Sequence, residues 1–497
     1  MKRVILFVID ALTGPLLQEE MANGRYPNFQ KLQAAGKMFE QCVSIFPSIT
    51  HAALTSIATG QYPVQHGVVG SHWYDVDREK VVYFSGSLGM VLQKGMGNFF
   101  REFLLDLNNE HLEALTIFQQ LEREGLDTAC INFPLYRGDV EHKVNMPLLL
   151  KLLPGLPNDT VVKGPKKLIL GDLLTNPNDL DIEASFTGVA HWFGFRDENT
   201  IDLVLQLAKC DEFPNFTLAY FPENDYRAHD HGPVEAHHHL DDLDDMLGEL
   251  FNIYGGIDSF LAQFALVITG DHSQSGTAEN SAEEGINLQE VIASHKMAKA
   301  GQPWCSEEEI MPCPNLRASQ LYFKNPTPTK IMDVTNELLA DARTDQVIYK
   351  AAFVDEGEGY IVHQGNQRLH FWRALKEATS DLYGNLWQWE GDLGVVDGRI
   401  QDDMLVFHDY PNAFERIAGV LDAADSGQIW STAKLGHEIY VPPMKLYTNG
   451  GSHASLHRLD SQPPLLLAGI PEGVPIPQYP RIVDVAPLCR ACLQQDG

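Results

Sequence analysis

Long hydrophobic runs are missing from this sequence. No stretch of its 497 residues approaches the ~18 consecutive apolar residues that cross a bilayer. Near the N-terminus the apolar run Val4–Ile9 stops at Asp10, so it is shorter than the core of a secretory signal. We therefore expect a cytoplasmic protein that does not bind membranes, with Val4–Ile9 as a buried strand.

Cysteine is also scarce. The seven cysteines are scattered and odd in number, which argues against a disulfide framework. Cys489 and Cys492 form one C-x-x-C pair, but no second pair lies at zinc-ribbon spacing. We expect this pair to pack inside one turn of a closing helix.

Positive charge is in short supply. The chain has 36 Lys and Arg against 67 Asp and Glu, which gives a formal net charge of −31. Such a surface repels nucleic-acid backbones and anionic membranes, so we expect no binding of nucleic-acid polymers. If the substrate is an anion, bound cations must attract it locally.

Short apolar runs do occur, and they alternate with amphipathic segments of helical period. The runs are Val4–Ile9, Thr128–Phe133, Phe216–Phe221, Phe264–Thr269 and Pro464–Ala468. This alternation indicates an α/β fold with a mostly parallel central sheet flanked by helices on both faces. Because 497 residues exceed one ordinary core, we assign 1–324 and 446–497 to the main core and 325–445 to a smaller, cap-like α+β inserted subdomain.

Acidic residues follow three of these runs. VILFVID ends in Asp10, TLAYFPEND ends in Asp225, and FALVITGDH ends in Asp271 and His272. Since the carboxyl ends of parallel strands line the edge of the sheet where ligands bind, these acids should converge. A single Asp after a strand is more often a turn or helix N-cap residue, but three together favour a functional site.

Two more histidines accompany the acids. His229 lies four residues after Asp225, about one helical turn away, and His453 lies in a glycine-rich segment before the last apolar run. Taken singly, each is explained equally well as a loop or turn residue. Together with the aspartates they form an Asp/His set without thiolates, which suits zinc and, with more carboxylates, manganese or iron.

The segment FPSIT contains a candidate nucleophile. Pro47 breaks the chain, and Ser48 or Thr50 can then cap the helix that follows. A hydroxyl at a helix N-terminus also meets the positive end of the helix dipole, which stabilises an alkoxide or a bound phosphate. A neighbouring metal would lower the pKa of that hydroxyl further.

In these residues the sequence resembles the alkaline phosphatase superfamily, and within it the type I phosphodiesterase/nucleotide pyrophosphatase family. The matching elements occur in the family's order: Asp10, YPNFQKL, AAGKMF, FPSIT, TGQYPVQHGVVG, Asp225–Pro233, Val267–His272 and Gly450–Ala486. The resemblance implies an alkaline phosphatase-like fold and a site for two divalent cations. One cation would be held by Asp225, His229 and His453, and the other by Asp10, Asp271, His272 and the hydroxyl of Thr50. The resemblance also implies that Thr50 attacks phosphorus in line and that water then hydrolyses the phospho-threonine.

The sequence departs from the family's pattern at several positions. Ala11, Ala228 and Ala454 stand where the family often has glycine, and we expect these replacements to cost little. Where the phosphodiesterases have an Asn that binds a phosphate oxygen, this chain offers Ser71 or His72 as the predicted substrate-binding residue. We find no counterpart of the arginine with which monoesterases of the superfamily clamp a terminal phosphate.

The leading hypothesis is therefore a metal-dependent hydrolase that cleaves phosphodiester or nucleotide pyrophosphate bonds in a small phosphate ester or nucleotide. The alternatives are a phosphomonoester, phosphonate or sulfate ester hydrolase of the same superfamily, or a noncatalytic metal-binding protein. Two other features are expected to have no part in the site. The run 237–239 should begin a solvated helix, and Trp387 should pack in a core rather than form a lid. The substrate, the metal and the oligomeric state are left open.

Overall fold

A central sheet of seven strands organises the computed structural model, which describes residues 2–84, 101–145, 160–174, 182, 184–279 and 285–495. The strands lie in the order Gly36–Phe39, Leu465–Ala468, Phe264–Thr269, Arg3–Ile9, Phe216–Phe221, Thr128–Ile131 and Lys167–Ile169. The last five are mutually parallel, and Leu465–Ala468 is antiparallel to both of its neighbours. The predicted mostly parallel sheet is confirmed.

The central strand Arg3–Ile9 is buried on both faces, as its continuous apolar sequence requires. Alternate side chains enter two separate cores, with Val4, Leu6 and Val8 on one face. The helices Thr50–Thr59, Ile117–Arg123 and Val485–Gln494 pack on that face. The helices Gly14–Ala22, Pro27–Ala35, Asp197–Lys209, Asp241–Ile253 and Ile257–Gln263 pack on the other. The chain thus has the predicted α/β architecture.

A second, separate sheet of eight strands is antiparallel throughout. Its order is Ile310–Asn315, Ala318–Phe323, Ile429–Ala433, Thr344–Lys350, Tyr360–Gln364, Gln367–Arg373, Leu386–Gly391 and Thr379–Ser380. The helix Pro328–Ala340 packs on one face of this sheet, and Ala413–Leu421 packs on the other. Trp387 is fully buried against Phe414, with ring centroids 5.4 Å apart, so it packs in the core as expected. Two strands of this sheet precede residue 325, and the boundaries at 325 and 445 stay a prediction.

Shorter elements complete the described part of the chain. The two-stranded pairs are His72–Asp75 with Lys80–Tyr83, Val140–Lys143 with Val161–Gly164, Ser275–Gly276 with Gly451–Ser452, Gly285–Asn287 with Glu438–Tyr440, and Gly398–Gln401 with Met404–Phe407. Within the described ranges, the remaining α-helices are Pro63–His66, Glu223–His231, Pro233–His237, Leu288–Val291 and Arg458–Ser461, and Glu102–His111 is π-helical. Among the described residues, no helix combines the length and the apolar character needed to cross a bilayer.

The register of the parallel strands brings their ends together. Ile9 pairs with Phe221 in the neighbouring strand, and Val8 pairs with Thr269 on the other side. The residues that follow these strands therefore leave the sheet at one edge. Asp10, Asp225 and Asp271 all lie just beyond those ends.

Candidate active site

Five of the predicted metal ligands meet at this edge in two buried triads. One triad is Asp10, Asp271 and His272, and the other is Asp225, His272 and His453, so His272 belongs to both. Within each triad the ligand atoms all lie within 4.8 Å of one another. The structure thus brings together residues that are hundreds of positions apart in sequence.

Asp10 and Asp271 each present a carboxylate oxygen toward the shared histidine. Asp10 Oδ1 and Asp271 Oδ2 each lie 3.4 Å from His272 Nε2. The other oxygens are occupied: Tyr220 donates its hydroxyl to Asp10, and the Ala11 N–H donates to Asp271 at 3.2 Å. Among the described residues, Asp10 Oδ1 and Asp271 Oδ2 find no hydrogen-bond donor. Buried oxygen atoms that accept no hydrogen bond are rare in folded proteins, and a bound cation would account for these two.

Burial and mutual repulsion control the protonation of this cluster. Burial raises the pKa of Asp10 well above its ordinary value, and the charges of Asp271 and Asp225 raise it further. Burial also raises the pKa of Asp271. For His453, burial first and the neighbouring His272 and His229 next lower the pKa well below its ordinary value. Neutral imidazole is the form that binds metals, and cations would relieve the repulsion among the carboxylates.

Backbone carbonyls orient two of the histidines. His453 Nδ1 lies 2.8 Å from the Ser48 carbonyl oxygen, and His229 Nδ1 lies 2.8 Å from the Gly451 carbonyl oxygen. Because a carbonyl only accepts, the ring proton belongs on Nδ1, which leaves Nε2 free to bind a metal. These Nε2 atoms lie 3.7 Å and 3.5 Å from Asp225 Oδ1.

Thr50 and Ser48 face different partners. Thr50 is the first residue of the helix Thr50–Thr59, and its Oγ1 lies 3.2 Å from His272 Nε2. Ser48 is fully buried and donates its hydroxyl to the Ser455 carbonyl at 2.9 Å. Of the two hydroxyls considered from the sequence, that of Thr50 therefore lies beside the triads.

The predicted substrate-binding residues are buried where the strand His72–Asp75 begins. Asn315 accepts the backbone N–H groups of both Ser71 and His72 at 2.9 Å. The Ser71 hydroxyl lies 2.8 Å from His51 Nδ1, and His51 directly follows Thr50. His72 Nδ1 lies 3.2 Å from the Pro314 carbonyl oxygen. Ser71 is thus linked to the Thr50 helix, while substrate contact by either residue stays a prediction.

A family model, type I phosphodiesterase/nucleotide pyrophosphatase, matches residues 4–389. The chain belongs to this family, within the alkaline phosphatase superfamily. The two buried triads are its candidate metal sites.

Known proteins resemble the chain over different extents. Mouse ectonucleotide pyrophosphatase/phosphodiesterase family member 3 is 24% identical over 233 residues, 47% of this chain but only 20% of the mouse protein. The chain therefore spans about a fifth of that relative's length.

Solved structures share the fold over nearly the whole chain. Murine ectonucleotide pyrophosphatase/phosphodiesterase 5 has a TM-score of 0.58 at 14% identity, covering 99% of this chain and 95% of the murine one. The same murine protein, as an inactive threonine-to-alanine variant in complex with AMP, has a TM-score of 0.57 at 13% identity. Phosphonoacetate hydrolase from Sinorhizobium meliloti 1021, in complex with phosphonoformate, has a TM-score of 0.58 at 16% identity and covers 99% of this chain and 96% of its own.

Sequence reasoning missed the residues that support the ligands. Besides Tyr220, Asn224 donates its side-chain amide to the Asp10 carbonyl at 2.8 Å, and Gln274 donates to the Asp225 carboxylate. All three are buried. Their closeness in sequence to Asp225 or His272 was the available signal, because residues beside a metal ligand often orient it.

Two expectations from the sequence need correction. The replacements of the family's glycines were expected to cost little, which holds for Ala228 inside a helix. It does not hold for Ala11 and Ala454, whose φ angles of 55° and 89° lie in the left-handed region that favours glycine. His237 was expected at a solvated helix start, but it is buried, and its Nε2 accepts the Thr13 N–H at 2.9 Å.

Proposed function

We propose that this protein hydrolyses phosphodiester or nucleotide pyrophosphate bonds with Thr50 as its nucleophile. The observation that carries the proposal is the position of Thr50 Oγ1, 3.2 Å from the histidine that both triads share. Thr50 opens a helix of ten residues, whose dipole favours negative charge on its oxygen. The inactive threonine-to-alanine variant of the murine relative, which was solved with AMP, supports a threonine in this role.

We further propose a site for two divalent cations. Asp225, His229 and His453 would hold one, and Asp10, Asp271, His272 and the Thr50 hydroxyl would hold the other. When bound, these cations would supply the positive charge that stabilises phosphoryl transfer and draws an anion to a chain of net charge −31. The donor set suits zinc, and it also accommodates manganese or iron. Elemental analysis of protein purified without added metal should find close to two transition-metal equivalents per chain.

Substitution of Thr50 tests the nucleophile. Thr50→Ala should lower kcat for bis-p-nitrophenyl phosphate by roughly 10³-fold or more, because no other group takes over the attack. Thr50→Ser keeps the hydroxyl and should retain measurable turnover. The metal content of both variants, measured in parallel, should stay near that of the wild type. Wild-type turnover by Thr50→Ala would refute the assignment.

The class of substrate is tested by comparing esters. We propose a preference for the diester, so bis-p-nitrophenyl phosphate should be cleaved faster than p-nitrophenyl phosphate, and chelator should stop both reactions. Phosphonoacetate belongs in the same series because of the fold shared with phosphonoacetate hydrolase. Turnover of the monoester or the phosphonate alone would contradict the proposed diesterase. Ser71 or His72, in place of the family's Asn, would then be the residue to examine.

We also propose a cytoplasmic location. All seven cysteines are free thiols, which is the usual state in a reducing compartment. Fractionation of cells that produce the protein would test this, and recovery outside the cytosol would contradict it.

A further inference from the structure

A buried ion pair lies directly behind the candidate metal centre. Arg317 and Asp460 are both fully buried, and Arg317 Nη1 lies 2.6 Å from Asp460 Oδ1. Arg317 belongs to the turn between the first two strands of the second sheet, and Asp460 lies in the short helix Arg458–Ser461. Neither residue is a proposed metal ligand.

The Arg317 side chain holds the loop that follows His272. Its Nη2 donates to the carbonyl oxygens of Ser275 and Gly276, both at 2.9 Å. Asp460 reinforces this contact, because its Oδ1 accepts the Ser275 hydroxyl at 2.7 Å and its carbonyl accepts the Ser273 N–H at 3.1 Å.

The same pair also holds the segment 452–455, which we term the His453 loop. Arg317 Nη1 donates to the Ser452 carbonyl at 3.0 Å, and the Arg317 backbone N–H donates to the His453 carbonyl at 3.1 Å. Asp460 Oδ2 accepts the Ser455 hydroxyl at 2.6 Å. The loop is thus fixed on both sides of His453.

The His453 loop needs such support because its backbone is strained. Ala454, the next residue after His453, has a φ angle of 89°. A non-glycine residue in that region persists only where its surroundings determine it, at a cost of roughly 1–3 kcal/mol. The β-pairing between the two loops adds little, since it joins only Ser275–Gly276 to Gly451–Ser452.

We propose that Arg317 and Asp460 are positioning residues that set the affinity of the cation held by Asp225, His229 and His453. They act through the backbone of the His453 loop and touch neither metal nor substrate. A buried ion pair adds little stability compared with apolar packing, so specificity of geometry is the better explanation of this one. Through it, the second sheet takes part in the site. The inference rests on the proposed two-metal site.

Arg317→Lys is the principal test, because it keeps the charge next to Asp460 but loses the planar fork that donates to four carbonyl oxygens and one hydroxyl. Zinc is the probe, and its affinity is measured by competition with a chelating dye. One zinc equivalent should bind roughly 10–100-fold more weakly, as is typical when a supporting partner of a metal ligand is lost. The affinity for the other zinc equivalent should change less than about threefold, and kcat should recover at saturating zinc.

Arg137→Lys is the matched control, since Arg137 also donates to several backbone carbonyls, those of Asn108, Leu112 and Ala114. It should leave both zinc affinities unchanged, while the unfolding temperatures of the two metal-free variants should fall by similar amounts. Ser455→Ala buries no lone charge, so it provides a second test if Arg317→Lys fails to fold. It should lower the affinity for the same zinc equivalent by a few-fold.

Adding Ala454→Gly relieves the backbone strain, so it should restore part of the affinity lost in Arg317→Lys. Unchanged binding of both equivalents in Arg317→Lys and Ser455→Ala, or equal weakening of both, would overturn the inference. If wild-type protein bound no zinc and cleaved no diester, the proposed function itself would have failed.

Discussion

Single residues beside the candidate ligands carry backbone strain. Ala11 follows Asp10 and Ala454 follows His453, and both have positive φ angles. In each case a hydrogen bond holds the strained turn, from the Ala11 N–H to Asp271 and from the Arg317 N–H to the His453 carbonyl. Strain of this kind concentrates where the position of a side chain matters more than the stability of its backbone.

Asp425 gives a prediction about pH. Burial, with added repulsion from Asp75, Asp77 and Glu113, raises the pKa of Asp425 to about 6. A raised folded-state pKa means that the folded protein binds more protons than the unfolded chain between about pH 4 and 6. Stability is therefore lost as the pH rises through 6.

Asp425→Asn removes the charge and keeps an oxygen for the Val76 N–H, which Asp425 accepts at 3.1 Å. At pH 7.5 this variant should be more stable than the wild type by about 1 kcal/mol, less than the full shift implies because solvent screens a half-buried group. At pH 4 the two should be equal. Denaturant unfolding at both pH values measures this, with exposed Asp403→Asn as control; a gain independent of pH would contradict the reasoning.

At the residue scale, the sequence predicted the convergence of the candidate ligands better than the contacts that support them. Asp10, Asp225 and Asp271 could be picked out because each follows an apolar strand, and parallel strands end at a common edge. Arg317 could not, because its partners Ser275, Ser452 and Asp460 become neighbours only after the two sheets have packed. The partnership of Ser71 with Asn315 depends on the same packing.

At the scale of elements, the helix Thr50–Thr59 fixes the proposed nucleophile at one end and stops at Gly60 at the other. Gly60 has a φ angle of 71°, and its N–H bonds to the Ser56 carbonyl. A β-carbon at this position would lie 2.9 Å from Pro487 Cδ in the closing helix. The small residue thus allows both the left-handed turn and close packing of the two helices.

Gly60→Ala should therefore destabilise the protein by roughly 2–4 kcal/mol, the sum of the left-handed backbone cost and the clash with Pro487. Gly125→Ala is the matched control, because Gly125 has a φ angle of 85° but a β-carbon there would meet none of the described residues within 4 Å beyond its chain neighbours. It should cost only about 1–2 kcal/mol. Denaturant unfolding compares the two, and equal losses would show that Pro487 contributes nothing.

Elements with strong periodicity were predicted well, and those shaped by tertiary contacts were not. Phe216–Phe221 and Phe264–Thr269 have the bounds expected from their apolar runs. Thr128–Ile131 ends two residues early, because Asn132 turns away with a φ angle of 54°. The strand Ala318–Phe323 pairs with Ile429–Ala433 across more than a hundred residues, and no local pattern reveals such a pairing.

At the scale of the whole molecule, the charge of the candidate metal site affects the stability of the fold. Two divalent cations would change the net charge from −31 to −31 + 4 = −27, a small change overall but one concentrated among three buried carboxylates. Burial and the neighbouring Asp271 and Asp225 already raise the pKa of Asp10 in the metal-free protein. Since like charges in a low-dielectric interior repel strongly, the metal-free site should oppose folding.

Removal of metal should therefore lower the unfolding temperature, by roughly 10 °C if zinc is present at about 1,000 times its Kd. Asp271→Asn separates the two contributions, because an amide oxygen can still accept the N–H groups of Ala11 and His272 that Asp271 now accepts. With chelator at pH 8, this variant should unfold at a higher temperature than the wild type, since one buried negative charge is gone. With zinc bound, the wild type should unfold at the higher temperature, because the variant has lost a proposed metal ligand. Calorimetry of both proteins in both states tests this, and a variant that is less stable in both states would show that carboxylate repulsion does not govern the metal-free fold.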